Sequence, residues 1–325
     1  MELLLAPLRA LADPTRLRIM LLIRHMELSV GELAAVLGQS QPRVSRHIRI
    51  LAEAGLAERR KEGAWVWLRP GSGALLDALA GQLDMVSEGR EAAADRARLA
   101  EVRAARARAA ADWFAAHAAE WDGLRALHVA DSEVERTMAA MLGDAPMGRL
   151  LDIGTGTGRM IELFGARAAQ VTALDNSPEM LRIARAKLGD GAGGELAADM
   201  LLGDFNALPL ADAGYDLVLL HQVLHFAQTP ERVIGEAARV LAPGGRLLIA
   251  DFAPHEREEL RRDHAHARLG FADDDMARWF AAAGLTPAQT RRLDGGPLGV
   301  SLWLGVRHSE RRPLPFPDAR AGLAA

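Results

Sequence analysis

The residues with the clearest chemistry are three glycines at alternate positions, Gly154, Gly156 and Gly158, which follow an apolar run ending in Asp152. A helical pattern begins directly after them, so the sequence predicts a strand, a tight turn and a helix N-terminus. Glycine permits the backbone angles of such a turn and lets a ligand approach the main chain. Asp175 ends a second apolar run 21 residues past Gly154, and an acid at that distance can accept hydrogen bonds from both hydroxyls of a ribose. The sequence therefore predicts a site for a small molecule that carries a nucleoside.

A glycine turn with a distal acid also occurs in NAD-binding folds, so further segments must separate the two alternatives. A third apolar run ends at Gly203-Asp204 and is followed by Ala207-Leu-Pro-Leu. Tyr215-Asp-Leu-Val-Leu-Leu-His then leads to Arg239-Val-Leu-Ala-Pro-Gly-Gly-Arg-Leu-Leu-Ile-Ala-Asp-Phe. In this order and spacing, residues 147–306 resemble the class I methyltransferases that depend on S-adenosylmethionine (SAM). An unrelated dinucleotide-binding fold is the alternative, and a purely structural glycine turn does not account for all these segments together.

The resemblance implies a site for SAM or S-adenosylhomocysteine (SAH). Asp152 and the glycine turn would hold the methionine end of the ligand. Asp175 would bind the ribose hydroxyls, and Asp204 with Phe205 would contact the adenine. The full set of cofactor-binding candidates is Asp152, Gly154, Gly156, Gly158, Asp175, Asn176, Asp204, Phe205 and His221. The catalytic residue is unknown, with His221 and His225 as candidates; His221 can be a general base or simply a histidine lining the pocket. Methyl transfer is an in-line displacement in which positioning supplies much of the rate, so no fixed catalytic residue is required.

The first 70 residues predict helices followed by two short strands around Lys61-Glu-Gly63. Apolar residues at helical spacing mark helices at 2–11, from Pro14, from Val30, and from Gln41 to Ala54. Helix, turn, helix and hairpin make a winged helix, which lays its second helix in the major groove of DNA and touches the backbone with its wing. The arginines of the last helix lie off its apolar face and are free to meet DNA.

Residues 1–70 resemble the ArsR/SmtB family of bacterial repressors through Ala12-Asp-Pro-Thr-Arg-Leu-Arg-Ile and Ser40-Gln-Pro-Arg-Val-Ser-Arg-His-Ile-Arg-Ile-Leu-Ala-Glu-Ala-Gly-Leu. The resemblance implies a homodimer that binds double-stranded operator DNA, and the alternative is a winged helix used only as a docking surface. The DNA-binding candidates are Gln41, Arg43, Ser45, Arg46, Arg49 and Lys61. That family commonly senses metals through cysteines or through histidine and acid clusters. This chain has no cysteine and no histidine in 72–88, so no metal is expected at the usual sites.

Composition agrees with a nucleic-acid binder attached to a larger body. A chain of 325 residues suits two or three domains. Residues 1–70 carry 11 basic and 7 acidic side chains, a net charge of +4, whereas 71–149 and 150–325 each carry −4. The absence of cysteine excludes disulfides and thiolate metal sites. No apolar run has membrane-spanning length and the N-terminus lacks a basic region followed by an apolar one, so the expected location is the cytoplasm, away from the membrane.

Four segments are expected: a winged helix at 1–70, dimerisation and linker helices at 71–112, a SAM-binding domain at 113–308 and a disordered tail at 309–325. An apolar stripe in the second of these can form the dimer interface or intradomain core; it comprises Leu75, Leu79, Leu83 and Val86. Residues 88–111 are expected to form a long, solvated connecting helix, with a basic nucleic-acid arm as the alternative. Aromatic residues of 113–145, among them Trp113, Phe114 and Trp121, can line the site or pack as ordinary core.

The last region alternates strands and helices. Strands are predicted near 149–153, 170–174, 199–203, 216–221 and 246–251, helices near 158–167, 178–188 and 230–241, and an antiparallel hairpin at 285–293 and 299–306. The predicted fold is therefore multi-domain, an N-terminal winged helix-turn-helix, mostly α with a β-wing, plus a C-terminal α/β Rossmann-like class I methyltransferase fold. Between the last parallel strand and the hairpin, 251–271 holds three histidines and Glu259 at a spacing poor for one metal ion, and a helix over the pocket is expected there.

Three functions fit the pattern. The first is a dimeric transcriptional regulator that uses SAM or SAH as effector, with methionine-cycle or one-carbon genes as targets. The second is an active small-molecule methyltransferase that represses its own operon. The third, a methyltransferase acting on nucleic acid, is disfavoured because the tetrapeptide Asn-Pro-Pro-Tyr typical of amino-group DNA methylation is replaced by His221-Gln-Val-Leu.

Overall fold

The structure of the chain, a computed structural model, describes residues 2–24, 28–62, 65–71, 76, 83, 89–117, 131–144, 146–188, 198–294 and 298–308. Within these residues the N-terminal part forms a helical unit with a small sheet, and residues from 131 onward form an α/β unit around a larger sheet.

The N-terminal unit has the helices and the wing that the sequence predicts. Its elements are α1 (Glu2–Leu11), α2 (Pro14–Ile23), β1 (Leu28–Ser29), α3 (Val30–Leu37), α4 (Gln41–Glu53), β2 (Ala57–Glu62) and β3 (Trp65–Pro70). The two-residue strand β1 was not predicted; it pairs antiparallel with β3 and makes a sheet of order β1-β3-β2. Local sequence fixes the helix starts, since Asp13 accepts a hydrogen bond from the Arg16 N–H and Ser29 forms a reciprocal capping box with Glu32.

The helix that follows the wing packs on this unit along part of its length. It runs from Arg90 to His117 and is α5 here. Leu99 is 3% exposed and joins the apolar cluster inside the winged helix. Asp95 is 2% exposed and accepts hydrogen bonds from Arg18 Nε at 2.6 Å and from Arg98 Nη2 at 2.6 Å. The expected long helix is present and most described residues of its first half are exposed, but this half is not wholly solvated, because it also supplies core and a buried ion pair.

Several expectations concern residues that cannot be compared with the structure. Leu83 is buried. The remaining positions of the apolar stripe, the aromatic side chains expected near the pocket and the tail lie outside the described residues, namely Leu75, Leu79, Val86, Trp121, the side chains of Trp113 and Phe114, and 309–325. The expected domain limits thus stay predictions.

The α/β unit is built on a seven-stranded sheet. Its strands are β4 (Gly148–Ile153), β5 (Ala168–Asp175), β6 (Asp199–Leu202), β7 (Tyr215–His221), β8 (Leu241–Phe252), β9 (Leu285–Leu293) and β10 (Val300–Arg307). The order is β6-β5-β4-β7-β8-β10-β9, parallel from β6 to β8, with β10 antiparallel to both of its neighbours. Its helices are α6 (Asp131–Leu142), α7 (Arg159–Phe164), α8 (Pro178–Leu188), α9 (Pro230–Val240), α10 (Glu258–Asp263) and α11 (Asp273–Ala282). This is the predicted mostly parallel Rossmann-like architecture.

Both faces of the sheet are buried, as expected for parallel strands. Leu150 and Leu151 are consecutive on β4, and each belongs to a different apolar cluster, because successive side chains of a strand point to opposite faces. β4 lies between β5 and β7, so the ends of these three strands, at Ile153, Asp175 and His221, meet at one edge of the sheet. Ligands of open α/β sheets bind outside such an edge.

Two parts of this unit differ from the prediction. In 251–271 only α10 is helical, six residues long, whereas a helix over the pocket was expected. The helix α11 was not predicted at all. Its apolar residues include Met276 and Phe280, which are 1% exposed and pack against the sheet.

Candidate functional site

The glycine turn lies between β4 and α7 and is fixed by contacts to neighbouring segments. Gly154 has a φ of +70°, and a Cβ atom there would lie 2.3 Å from the side chain of Val223. Gly156 has a φ of +54°, and its N–H donates to Asp175 Oδ2 at 2.8 Å. Conformation disfavours a side chain at both positions, and close approach to Val223 excludes one at Gly154.

A pocket opens beside this turn at the sheet edge. Its wall consists of Asp152, Gly154, Thr155, Arg159, Met160, His221, Gln222 and Val223. Asp152 is 1% exposed and accepts a hydrogen bond from Thr155 Oγ1 at 2.7 Å. Arg159, the first residue of α7, binds Glu135 of α6 through Nε and Nη2 at 2.7 and 2.8 Å. Its hydrogen bonds with Glu135 raise the pKa of Arg159, so the wall holds one buried acid and one permanent cation.

Asp175 ends β5 beneath the turn and is 8% exposed. Its Oδ1 accepts from the Ser177 N–H at 2.9 Å, and its Oδ2 from Gly156. Burial raises the pKa of Asp175, while the main-chain N–H donors oppose that shift. The main-chain N–H of Asn176 is a third donor to this carboxylate, and a carboxylate has about four acceptor positions, so about one position remains beyond these main-chain donors.

The loop after β7 contributes a polar side chain that sequence reasoning missed. Gln222 is 3% exposed, has a φ of +53° and lines the pocket. Among the described residues, its Nε2 has no hydrogen-bond partner. A buried amide without a partner is costly, and backbone strain of this kind concentrates at functional sites. No pattern around Gln222 would have disclosed this, because both properties arise from tertiary packing.

The two candidate histidines have different surroundings. His221 lines the pocket and is 7% exposed. His225 lies behind the wall and is 2% exposed, with Nδ1 2.7 Å from Asp251 Oδ1 and its main-chain N–H donating to Asp251 Oδ2 at 3.2 Å. Its ring centroid is 4.2 Å from that of His266. The geometry thus favours His221 as the histidine that meets a ligand and His225 as an anchor for the short turn at Leu224–Phe226.

The three remaining cofactor candidates follow the same edge of the sheet. Asn176 is exposed directly after Asp175. Asp204 is also exposed, and its Oδ1 accepts from the N–H and the Nδ2 of Asn206, both at 2.8 Å. Phe205 is half-buried against the sheet. Since the Gly203 N–H donates to Asp175 O at 3.0 Å, these residues continue the edge from Asp175 and lie outside the pocket wall named above.

The candidate DNA-binding residues are exposed in the winged helix. Val44, Ile48 and Leu51 of α4 are at most 1% exposed, as expected for the apolar face. The polar candidates are all exposed, namely Gln41, Arg43, Ser45, Arg46 and Arg49 on α4 and Lys61 on the wing. Among the described residues Arg49 has one ion pair, a long one with Glu53 at 3.9 Å, which leaves its exposed guanidinium available to a partner.

Two negative observations apply to the described part of the chain. It contains no group of three or more histidine, aspartate or glutamate side chains arranged to hold a metal ion. None of the helices seen in those residues is both long and apolar enough to cross a lipid bilayer.

Known proteins resemble both parts of the chain. Residues 13–59 match the model of the bacterial regulatory protein, arsR family, and residues 151–249 match the model of a methyltransferase domain. The chain is 37% identical to a malonyl-[acyl-carrier protein] O-methyltransferase of Methylococcus capsulatus over 46% of its own length and 53% of that protein. It is 29% identical to a demethylmenaquinone methyltransferase of Renibacterium salmoninarum over 50% of its length and 76% of that protein. The chain thus spans about half the length of the first of these relatives.

A solved structure shares the fold. It is a complex between the Haloferax volcanii Trm112 methyltransferase activator and a methyltransferase, with a TM-score of 0.51 at 23% identity. The match covers 61% of this chain and 97% of the other. At this identity the likeness shows the fold alone.

Proposed function

We propose, from the presence of an arsR-family helix-turn-helix domain and a class I methyltransferase domain in one chain, that the protein is a DNA-binding transcriptional regulator whose methyltransferase domain binds SAM or SAH as effector. That pairing is the observation that carries the proposal. An enzyme alone has no use for a DNA-reading helix, and a DNA-binding domain alone has no use for a nucleoside pocket. Genes of the methionine cycle or of one-carbon metabolism are the expected targets, and the cytoplasm is the expected location.

The DNA-binding half of the proposal is supported by the chemistry of α4. Its apolar side is buried in the core, and its arginines and short polar side chains are exposed. Arginine binds guanine edges bidentately and phosphates electrostatically, and short polar side chains contact either. We further propose a homodimer, because helix-turn-helix regulators commonly read two half-sites about one DNA turn apart, roughly 34 Å.

The residues at the sheet edge fit SAM and SAH. A Cβ atom at Gly154 would collide with Val223, so only glycine fits where the turn borders the pocket. Asp152 and Gln222 offer an acceptor and a donor to the amino acid end of the ligand, and Asp175 offers its carboxylate to the ribose. Asn176, Asp204 and Phe205 continue the edge toward the adenine. When bound, SAM supplies an electrophilic methyl group on its sulfonium; SAH lacks that methyl group and the positive charge.

An active methyltransferase that also regulates its own operon is the second candidate. Two relatives carry methyltransferase names, and His221 lies in the pocket wall beside Asp152. A neutral imidazole there can accept a proton from a small acceptor. The acceptor itself is not identified by this geometry.

Binding measurements on the purified protein test the proposal. A DNA duplex selected from a random-sequence pool by the protein serves as the probe, and calorimetry measures SAH and SAM affinity. We expect specific binding of the duplex and saturable binding of both nucleosides. Failure to enrich any sequence would contradict the DNA-binding half, and tight binding of NADH in place of SAH would contradict the cofactor half.

A further inference from the structure

The outer face of the wing is covered by the other domain. Side chains of β3 alternate, so Leu68 enters the core of the winged helix and is fully buried. Trp67 and Arg69 point to the opposite face. Trp67 is nevertheless only 5% exposed, and it does not belong to the apolar cluster of its own domain. Two arginines of the methyltransferase domain contribute to its cover.

Cation–π contacts account for part of this cover. Arg261 Cζ lies 5.1 Å and Arg268 Cζ 5.4 Å from the centroid of the Trp67 ring. Both distances fall within the roughly 6 Å over which a guanidinium is attracted to an aromatic face. Arg261 belongs to α10 and Arg268 to the loop after it, so the wing rests on the segment between β8 and α11.

An ion pair extends the same contact. Arg69 Nη1 lies 3.0 Å from Asp275 Oδ1, in the first turn of α11, and Arg69 also binds Glu58 across the wing at 2.7 Å. The Asp275 side chain is 13% exposed and is shared with Arg278 of the same helix. Arg69 therefore joins the two strands of the wing to the methyltransferase domain.

The segment under the wing is hydrogen-bonded to the loop that lines the pocket. The main-chain N–H groups of Ala267 and Arg268 both donate to His225 O at 2.9 Å, and Arg268 Nη2 donates to Gln228 O at 2.7 Å. His225 follows Val223 by two residues, and Val223 is part of the pocket wall. A continuous set of contacts thus runs from the pocket through His225 and Arg268 to Trp67.

We propose that this contact between wing and methyltransferase domain is the route by which a nucleoside in the pocket changes the affinity of the protein for DNA. The inference rests on the proposed function and adds the path of its regulation. A ligand changes DNA affinity only if it binds one arrangement of the two domains better than another. The contact includes an ion pair and two cation–π contacts, and a shift of the 221–226 loop would release or tighten the wing through them.

The connecting helix is the competing route, since it also links the two domains. Its first half is held on the winged helix by the buried Asp95, so it moves with that domain. Asp275 distinguishes the two routes. The wing route requires its contact with Arg69, whereas the route through the connecting helix does not.

Asp275→Asn tests the route, because it removes the ion pair and keeps the shape of the side chain. Asp274→Asn is the matched control, since it makes the same charge change on an exposed neighbour in the same helix. For each protein we would measure the affinity for the selected duplex with and without saturating SAH, and the affinity for SAH by calorimetry. A typical coupling changes affinity on the order of 5–150-fold. The quantity compared is the ratio of DNA affinity with SAH to DNA affinity without it. We expect this ratio to fall to within about twofold of 1 in D275N and to stay at the wild-type value in D274N.

A second pair of variants keeps the test decisive if D275N is poorly folded. Arg261→Met removes the cation facing Trp67 and keeps an unbranched chain, and Arg262→Met is its exposed control. A wild-type ratio in both D275N and R261M would overturn the wing route while leaving the regulator proposal intact. An equal change of DNA affinity with and without SAH would also overturn it, because the contact would then be a scaffold. Absence of any SAH effect in the wild-type protein would instead remove the effector proposal itself.

Discussion

At the scale of single residues, Asp175 is the strongest test of the cofactor site. Two ribose hydroxyls donating to this carboxylate would each contribute about 1.5–3 kcal/mol, the range for hydrogen bonds to charged groups. Asp175→Ala should therefore weaken both SAH and SAM binding by at least 10²-fold in calorimetry. Asp199→Asn, an exposed acid on the adjacent strand β6, is the control and should bind normally. Wild-type affinity in D175A, with an unchanged melting temperature, would refute the assignment.

The surroundings of Asp175 also predict how ligand binding depends on pH. Burial raises the pKa of this carboxyl, so as pH falls Asp175 takes up its proton at a higher pH than an exposed aspartate does. The protonated form is a poorer double acceptor, and SAH affinity should decline before the ordinary carboxyl pKa of about 3.9 is reached. Asp175→Asn cannot titrate and should bind weakly with little change over the same range. A wild-type affinity that stays constant down to pH about 4 would contradict this account.

At the scale of elements, α4 should read DNA. Arg46→Ala should weaken binding of the selected duplex by about 1–3 kcal/mol if this side chain reads a base. A loss spread evenly over all sequences, with a smaller dependence on salt, would assign it to a phosphate. Arg185→Ala, an exposed arginine on α8 in the other domain, is the control. Unchanged affinity in the double variant R43A/R46A would remove α4 from the interface.

The junction of α5 with the winged helix should depend on one buried acid. Asp95→Ala leaves Arg18 without its main partner, and the free energy of unfolding should drop by about 3 kcal/mol, near the low end for a broken buried pair. Urea titration followed by far-UV circular dichroism measures this loss. Glu101→Gln changes an exposed acid of the same helix and should leave the midpoint within error. A D95A midpoint equal to that of E101Q would show that the pair contributes nothing to stability.

The elements also show which structural features are accessible to sequence reasoning. Local apolar periodicity and turn residues predicted the wing, the β9–β10 hairpin and the parallel strands around Asp152. The structure confirmed these predictions. Strand β1 has two residues and forms only because Leu28 meets Leu68 far along the chain. Asp95 lies in a segment rich in alanine, arginine and glutamate, where the sequence predicts a solvated charge. Its burial depends on the contact with Arg18, 77 residues away in the chain.

At the scale of the whole molecule, the domains contact each other through residues that no sequence pattern singled out. Trp67 and Arg69 read as ordinary wing residues and Asp275 as one of three acids at a helix start. Their meeting is a property of the assembled fold. The same holds for Gln222, whose burial and strain come from the packing of the loop after β7. Sequence patterns therefore located the glycine turn and helix α4, while the connection between the two domains is visible only in the three-dimensional contacts.

The central claim is that one molecule couples nucleoside binding to DNA binding, and a single titration tests it most directly. The selected duplex is titrated with the wild-type protein and with D175A, each without ligand, with saturating SAM and with saturating SAH. SAM and SAH differ by one methyl group and one positive charge, so we predict unequal effects on DNA affinity, with a coupling of about 1–3 kcal/mol for the stronger effector, and no effect of either ligand on D175A. If both nucleosides bind the wild-type protein yet neither changes its DNA affinity, and methyl transfer to a small acceptor is found, the effector account is contradicted and the enzyme account replaces it.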